Sequence, residues 1–130
     1  MSPAPLPNVV IADDDGVIRL LLSSVFERDD RFGDVEAVDG GVEAVERAGL
    51  TRASVIILDL GMWELSGYEA LPLIRALRPE AAIVVYSSSV RPGDRDKAIA
   101  RGADEVVDKS TPAVDLPDIA IKALAARRPV

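Results

Sequence analysis

Four short apolar runs of this chain each end at side chains that can bind a cation or a phosphoryl group. The polar residues that follow the runs are Asp13, Asp14 and Asp15 after Val9–Ala12, Asp59 after Val55–Leu58, Ser87 after Ile83–Tyr86, and Lys109 after Val106–Asp108. If the runs are parallel strands of one sheet, these groups meet at its carboxyl edge, where open α/β sheets bind ligands. The pattern therefore predicts a site for a divalent cation and a phosphoryl group.

The residue types at this edge favour magnesium and an aspartyl phosphate. Clustered carboxylates repel one another unless a cation or a proton neutralises them. The chain has no histidine and no cysteine, so the ligands are oxygen atoms, which favour Mg²⁺, or else Mn²⁺. Asp59 would act as a carboxylate nucleophile, while the cation and Lys109 would offset charge on the transferring group. Ser87 would donate a hydrogen bond to a phosphoryl oxygen.

Each of these residues, taken singly, also has an ordinary structural interpretation. An aspartate before a helix is a common N-cap, and this is the role that we assign to Asp15. Asp59 alone would be a usual strand-end residue, and Lys109 alone a solvated charge. The prediction depends on their order along the chain, with each group ending a separate strand.

Short β-branched runs alternate with helical patterns, which predicts βαβ units and a parallel sheet. The predicted strands are Val9–Ala12, Val35–Val38, Val55–Leu58, Ile83–Tyr86 and Glu105–Asp108; the predicted helices are Gly16–Arg28, Gly41–Ala48, one from Ser66 to Arg78, Asp94–Arg101 and Leu116–Ala126. Right-handed crossovers predict an α/β fold of the flavodoxin-like kind, a doubly wound five-stranded parallel sheet of order 2-1-3-4-5. In that order Asp13, Asp14 and Asp59 converge, whereas Asp39 follows an outer strand away from them.

The spacing of apolar residues predicts which helix faces are buried. The expected core residues are Ile18, Leu21, Leu22 and Val25 in the first helix, Leu71, Ile74 and Leu77 in the third, Ala98 and Ile99 in the fourth, and Ile119, Ala120, Ala123 and Leu124 in the fifth. The fourth helix has few apolar anchors and is expected to be among the less stable elements. Ser66 with Glu69 three residues later is a capping-box pattern.

The composition is that of one globular domain. The chain has 130 residues, of which 48% are hydrophobic and 28% charged, and both fractions are usual for such domains. No apolar stretch approaches the ~20 residues that a membrane helix needs, and the N-terminus lacks the features of a secretion signal. The net charge of −7 argues against direct nucleic-acid binding. The lack of cysteine fits a cytoplasmic location.

The segments resemble the receiver domain of two-component response regulators. The matching segments are V-V-I-A-D-D, V-I-I-L-D-L-G-M, V-V-Y-S-S and V-V-D-K, with G-A-D before the last strand, and the spacing of Asp14 and Arg19 also fits. The resemblance runs from Asn8 to about Arg127. We therefore expect a flexible Pro-rich arm over residues 1–7, a receiver domain over 8–127 and a short tail over 128–130.

The resemblance implies a role for each site residue. The implied set is Asp59 as phosphoacceptor, Asp13, Asp14, Asp59 and the Gly61 carbonyl as magnesium ligands, Ser87 and Lys109 against the phosphoryl group, and Ser88 as a small residue that leaves phosphate access open. Such domains accept the phosphoryl group from a histidine kinase or a phosphotransfer protein and catalyse only their own phosphorylation and dephosphorylation.

The resemblance also implies a protein output partner, which the sequence does not name. The partner would bind the face made by the fourth helix, fifth strand and fifth helix, for which Arg95, Arg101, Val106 and Lys122 are the candidate contacts. The chain itself would be a monomer or a weak dimer.

The chain departs from the family pattern at four positions. Trp63 and Ser110 stand where proline is usual, and Ser66-Gly67 replaces Asp-Gly. Val106 occupies the place of the switch aromatic, three residues before Lys109, and has no ring to move between buried and exposed positions. Phosphorylation is still expected to shift the fourth helix.

Two alternatives follow from the same residues. The departures at Trp63, Ser110 and Val106 leave open a pseudo-receiver, a protein-binding module that works without phosphorylation, whereas the intact acceptor, acidic pair, hydroxyl and lysine oppose it. A magnesium-dependent phosphohydrolase would share the aspartyl-phosphate chemistry. Such an enzyme needs a second carboxylate just beyond the nucleophile, where this chain has Gly61.

Overall fold

A computed structural model describes residues 5–88 and 90–127 of the chain. Most of the residues of the expected arm (1–4 of 1–7) and all of the expected tail (128–130) lie outside the described residues, so both stay predictions. The strands are β1 Val9–Ala12, β2 Val35–Val38, β3 Val55–Leu58, β4 Ala82–Ser87 and β5 Glu105–Asp108; the helices are α1 Gly16–Glu27, α2 Gly41–Leu50, α3 Gly67–Leu77, α4 Asp94–Ala100 and α5 Leu116–Arg127. A 3₁₀ turn at Ala113–Asp115, which the sequence did not predict, precedes α5.

The five strands form one parallel sheet of order β2-β1-β3-β4-β5, which confirms the predicted topology. Every residue of β1, β3 and β4 is buried, as expected of central strands that helices cover on both faces. The outer strands β2 and β5 are only partly buried. The apolar character of the three central strands thus places them in the middle of the sheet, with their carboxyl ends together.

Two apolar cores lie on opposite faces of the sheet, because successive strand residues point to opposite sides. One core joins Val10, Ala12 and their counterparts on other strands to α2, α3 and α4. The other joins Val9, Ile11 and their counterparts to α1 and α5. Within the described part of the chain, no helix has both the length and the apolar character to cross a membrane.

Three of the predicted core residues are wrong. Leu21 is 45% exposed, Leu77 52% and Ile99 39%. One residue along a helix turns the side chain by about 100°, so burial of Leu22 in α1 and Ala98 in α4 turns their neighbours Leu21 and Ile99 outward. Leu77 is the last residue of α3 and lies near Gly49 of α2.

Candidate functional site

The pairing of the strands brings the predicted site residues to one edge of the sheet. Ala12 of β1 is in register with Leu58 of β3, so the residues that follow them, Asp13 and Asp59, lie side by side. The backbone N–H of Asp59 donates to the Ala12 carbonyl at 2.9 Å. On the other side of Asp59, Ser87 ends β4, and the Lys109 N–H donates to the Ser87 carbonyl at 3.0 Å.

Three carboxylates form the acidic part of the site. Asp13 and Asp59 are buried, Asp14 is exposed, and one ligand oxygen from each lies within 4.8 Å of the others. Burial of two carboxylates beside each other is unfavourable unless positive charge is close by. The arrangement therefore suits a cation that protein oxygens hold on one side and that is open on the other.

Ser87 and Lys109 contact the buried carboxylates directly. The Ser87 hydroxyl donates to Asp59 Oδ1 at 2.9 Å. Lys109 Nζ lies 2.8 Å from Asp13 Oδ2 and 3.7 Å from Asp59 Oδ1. Asp59 thus has a hydroxyl donor and an ammonium beside the same oxygen, which is the arrangement needed to steady a group that adds to the carboxylate.

The charges of the site shift the pKa of two members. Burial, followed by the negative charge of Asp13, raises the pKa of Asp59 above its ordinary 3.8, although Ser87 and Lys109 oppose the shift. Burial acts to lower the pKa of Lys109, but its hydrogen bond to Asp13 and the charge of Asp59 outweigh burial and raise it. The site therefore disfavours the ionised form of Asp59, whereas it favours the ammonium form of Lys109.

The start of α1 holds the loop that carries Asp13 and Asp14. The Asp15 side chain accepts hydrogen bonds from the N–H groups of Val17 and Ile18, which confirms its predicted role as N-cap. Asp13 Oδ1 accepts the Asp15 N–H at 2.9 Å. The Arg19 guanidinium donates to the Asp13 carbonyl, also at 2.9 Å. The Asp15 cap and the Arg19 hydrogen bond thus tie this turn to the start of α1.

The start of α3 lies directly against the backbone of Asp59. The Gly67 N–H donates to the Leu60 carbonyl at 2.9 Å, and a Cβ at Gly67 would lie only 2.0 Å from the Asp59 carbonyl oxygen. Ser66 and Glu69 form the predicted capping box. Only glycine allows α3 to begin this close to the strand end.

A cavity of about 560 Å³ opens over Asp59. Predicted site residues that line it are Asp14, Asp59, Gly61, Ser87, Ser88 and Lys109. Tyr68 and Asp94 also line it, and sequence reasoning missed both. They are 26 residues apart in the chain and joined by a hydrogen bond, for which the sequence carries no signal.

Asp39 and Trp63 lie at the rim of the site. Asp39 is exposed and is not one of the three clustered carboxylates in the described residues, but it lines a neighbouring cavity of about 360 Å³ together with Asp14 and Trp63. Asp39 is thus nearer the site than its outer strand suggested. The Trp63 side chain is 78% exposed, which makes it a natural reporter for the loop after Asp59.

The candidate partner residues do not all lie together. Val106 and Lys122 line a groove of about 600 Å³ between β5 and α5. Arg95 forms an ion pair with Glu105, which lines the same groove. Arg101 turns instead toward α3, where its guanidinium lies over the Tyr68 ring.

Comparison with known proteins places this geometry in one family. The chain matches the response regulator receiver domain over residues 9–121. It is 30% identical to the chemotaxis protein CheY of Listeria monocytogenes, over 78% of this chain and 85% of that protein. It is 36% identical to a protein-glutamate methylesterase/protein-glutamine glutaminase of Paramagnetospirillum magneticum, over 95% of this chain and 35% of the relative. The chain thus spans about a third of the methylesterase.

Solved structures agree with this match. The response regulator domain of CheB from Thermotoga maritima superposes with a TM-score of 0.76 at 27% identity, covering 95% of this chain and 94% of that one. A CheY-like receiver domain from Methanospirillum hungatei gives a TM-score of 0.86 at 20% identity, covering 94% and 96%, and shows the shared fold. The chain belongs to the response regulator receiver domain family.

Proposed function

We propose that Asp59 accepts a phosphoryl group from a phosphohistidine of a partner protein, and that the domain works as a phosphorylation-dependent signalling switch. The observation that carries this proposal is the buried Asp59 carboxylate, with Ser87 and Lys109 on one oxygen and Asp13 and Asp14 beside it. The chain has no histidine, so the phosphohistidine belongs to a histidine kinase or a phosphotransfer protein.

The donor set at the site fits Mg²⁺. The carboxylates of Asp13, Asp14 and Asp59 are oxygen ligands of the kind that Mg²⁺ prefers, and the raised pKa of Asp59 reflects first its burial and then the negative charge of Asp13. These three residues, with the Gly61 carbonyl, would hold the ion. Mg²⁺ would supply positive charge that offsets the oxygens of the phosphoryl group.

In the proposed transfer, an Asp59 oxygen forms a bond to phosphorus while the phosphorus–nitrogen bond of the donor breaks. The imidazole leaves with that electron pair and takes up a proton. Lys109 pairs with one phosphoryl oxygen. The Ser87 hydroxyl, which donates to the Asp59 carboxylate in the free protein, donates instead to a second phosphoryl oxygen. Attack of water on the aspartyl phosphate would return Asp59 to its free state. We propose no other reaction for the domain.

We propose that the phosphodonor docks on the apolar surface beside the site. Val17 and Leu20 on α1 are 73% and 74% exposed, and Val114 on the 3₁₀ turn is 68% exposed. The turn packs against α1, so the two elements that carry these side chains are neighbours. Exposed apolar surface of this kind is typical of protein contacts. The lack of cysteine also fits binding of the two proteins in the cytoplasm.

The output partner would bind the groove between β5 and α5, where Val106 and Lys122 supply an apolar and a cationic contact. The relatives differ in length and in the activities that their names give, so their names do not identify the output partner of this chain.

Fluorescence of Trp63 tests the proposed function. We expect one response to Mg²⁺ and a second, with Mg²⁺ present, to beryllofluoride or acetyl phosphate. Asp59→Asn should lose the second response, whereas Asp30→Asn, the same change at an exposed residue that lines neither cavity, should keep both. A response to Mg²⁺ without one to either phosphoryl compound would contradict the proposal and favour a pseudo-receiver. Steady hydrolysis of a phosphate ester would favour a phosphohydrolase.

A further inference from the structure

Tyr68 joins α3 to α4 at the wall of the cavity over Asp59. Its hydroxyl donates to Asp94 Oδ1 at 2.9 Å, and the other oxygen of Asp94 accepts the Arg91 N–H at 2.7 Å. Asp94 therefore ties together the first turn of α3, the loop after β4 and the first turn of α4. Both Tyr68 and Asp94 line the cavity that Asp59, Ser87 and Lys109 also line.

The ring of Tyr68 provides further contacts to α4. Lys97 Nζ lies 4.3 Å from the ring centroid and Arg101 Cζ lies 5.6 Å from it, which is within the range of cation–π attraction. Arg101 Nη1 also donates to the Tyr68 carbonyl at 3.3 Å. Lys97 of α4 and Arg101 just after it thus both lie over one aromatic side chain.

These contacts matter because little else anchors α4. The helix has seven residues, and within it Ala98 alone is buried. Val106, on the strand next to it, is partly buried against the core and brings neither a ring nor a hydroxyl to α4. Tyr68 is therefore the aromatic side chain through which this chain holds the helix.

We propose that Tyr68 is a positioning residue that holds Asp94 and the first turn of α4 against the phosphoryl pocket, and that phosphorylation of Asp59 releases this contact. The inference rests on the proposed function. A phosphoryl group adds negative charge to a cavity whose wall contains the Asp94 carboxylate, and like charges repel. Release of Asp94 then frees α4.

This contact, the Tyr68–Asp94 latch, defines a closed and an open state. A ligand shifts such an equilibrium by its different affinity for the two states, and the coupling is reciprocal. A change that weakens the latch must therefore tighten binding of a phosphoryl mimic. The coupling expected between two such sites is about fivefold or more in affinity.

Tyr68→Phe tests the latch, because it removes the hydroxyl and keeps the ring. Beryllofluoride affinity is measured by Trp63 fluorescence in saturating Mg²⁺, with Mg²⁺ affinity measured separately. We expect Tyr68→Phe to bind beryllofluoride about fivefold more tightly with unchanged Mg²⁺ affinity. A purely structural role would not separate the two affinities. Hydrogen exchange of residues 94–100 in the free protein should also be faster than in wild type.

Tyr86→Phe is the matched control. Its hydroxyl donates to the Thr111 carbonyl at 2.7 Å, so it also loses one tyrosine hydrogen bond, but not one to α4. This variant should neither tighten beryllofluoride binding nor speed exchange of residues 94–100. Asp94→Asn, which removes the repelling charge, should tighten binding as Tyr68→Phe does, and the double variant should give less than the product of the two effects.

The outcomes separate the latch from the proposed function. If wild type binds beryllofluoride, and Tyr68→Phe matches it in affinity and in α4 exchange, the latch is wrong and the proposed function stands. If wild type shows no beryllofluoride response with Mg²⁺ present, the proposed function fails and the regulatory role of the latch fails with it.

Discussion

Asp59 combines a buried position with a neighbour of the same charge. Burial and the charge of Asp13 raise its pKa above 3.8, so folding favours the protonated form. The stabilising contribution of that form is present below the unfolded pKa and is lost as pH rises through the raised folded pKa. At neutral pH the ionised carboxylate therefore opposes folding of the metal-free domain. The same charge is what a cation and a phosphoryl group require.

Asp59→Asn should accordingly stabilise the metal-free domain at neutral pH. The amide keeps an acceptor for the Ser87 hydroxyl and removes the repulsion with Asp13. We expect the free energy of unfolding in urea, with a chelator present, to rise and the difference from wild type to shrink in acid.

The control for this change is Asp30→Asn at an exposed position, which should give no comparable gain. A lower unfolding free energy for Asp59→Asn than for wild type at neutral pH would mean that Lys109 and Ser87 already compensate the charge.

At the scale of single elements, the helix starts position the site. Asp15 caps α1 through two backbone N–H groups, and its neighbour Asp14 belongs to the acidic cluster. Asp15→Ala should lower the free energy of unfolding by about 1 kcal/mol, while Mg²⁺ affinity measured by Trp63 fluorescence should match wild type. Asp15→Ser keeps a capping oxygen and should restore most of the stability. Loss of the Mg²⁺ response in Asp15→Ala would make Asp15 a ligand instead.

Gly67 gives a second prediction at this scale. A Cβ there would lie 2.0 Å from the Asp59 carbonyl oxygen, so Gly67→Ala must push α3 away from β3. We expect a loss of about 1–3 kcal/mol in unfolding free energy together with weaker Mg²⁺ binding. Gly49→Ala is the control, since its Cβ would meet only the Leu77 Cδ1 at 3.4 Å and alanine favours a helix. Equal stability of the two variants would contradict the close packing of α3.

The strands were predictable from the sequence because each one is a short run of consecutive apolar residues. Four apolar residues in a row at Val55–Leu58, most of them β-branched, are typical of a central strand buried on both faces, and Asp59 then falls at the sheet edge. The phase of a helix is harder to predict. In α1 the run Leu20-Leu21-Leu22 offers three adjacent apolar residues, and periodicity alone does not decide which one faces the sheet.

The site was predictable to the same extent as the strand ends. Asp13, Asp59, Ser87 and Lys109 needed only the order of the strands. The Tyr68–Asp94 latch could not be predicted from the strand order alone. It depends on the orientation of α4 about its own axis and on the path of the loop before it. Those depend on tertiary contacts, which short-range sequence patterns do not encode.

At the scale of the whole molecule, the two ends of the sheet carry different sets of polar residues. Opposite the site, the Arg75 guanidinium donates to the carbonyls of Gly102 and Ala81 and to Asp104, and Arg127 also pairs with Asp104. This network ties α3, β5 and α5 together at the amino end of the strands. The candidate site thus lies at the carboxyl edge of the sheet, whereas this network stabilises the opposite edge.

Arg75→Lys should separate these roles. A lysine cannot reproduce the fork of donors that serves several acceptors at once, so we expect a loss of about 1–3 kcal/mol in unfolding free energy without a change in Mg²⁺ affinity. Arg28→Lys, at an exposed position, should leave both unchanged. A weakened Mg²⁺ affinity in Arg75→Lys would show that the two edges are coupled.

The pocket draws its members from four separate strand ends. A fully synthesised but unfolded copy of the chain has every one of these residues and yet has no assembled acceptor site, because nothing holds them within reach of one another. A phosphoryl group on Asp59 would therefore show that the copy bearing it had folded. Under the proposed function, unfolded copies would then be unable to take part in signalling.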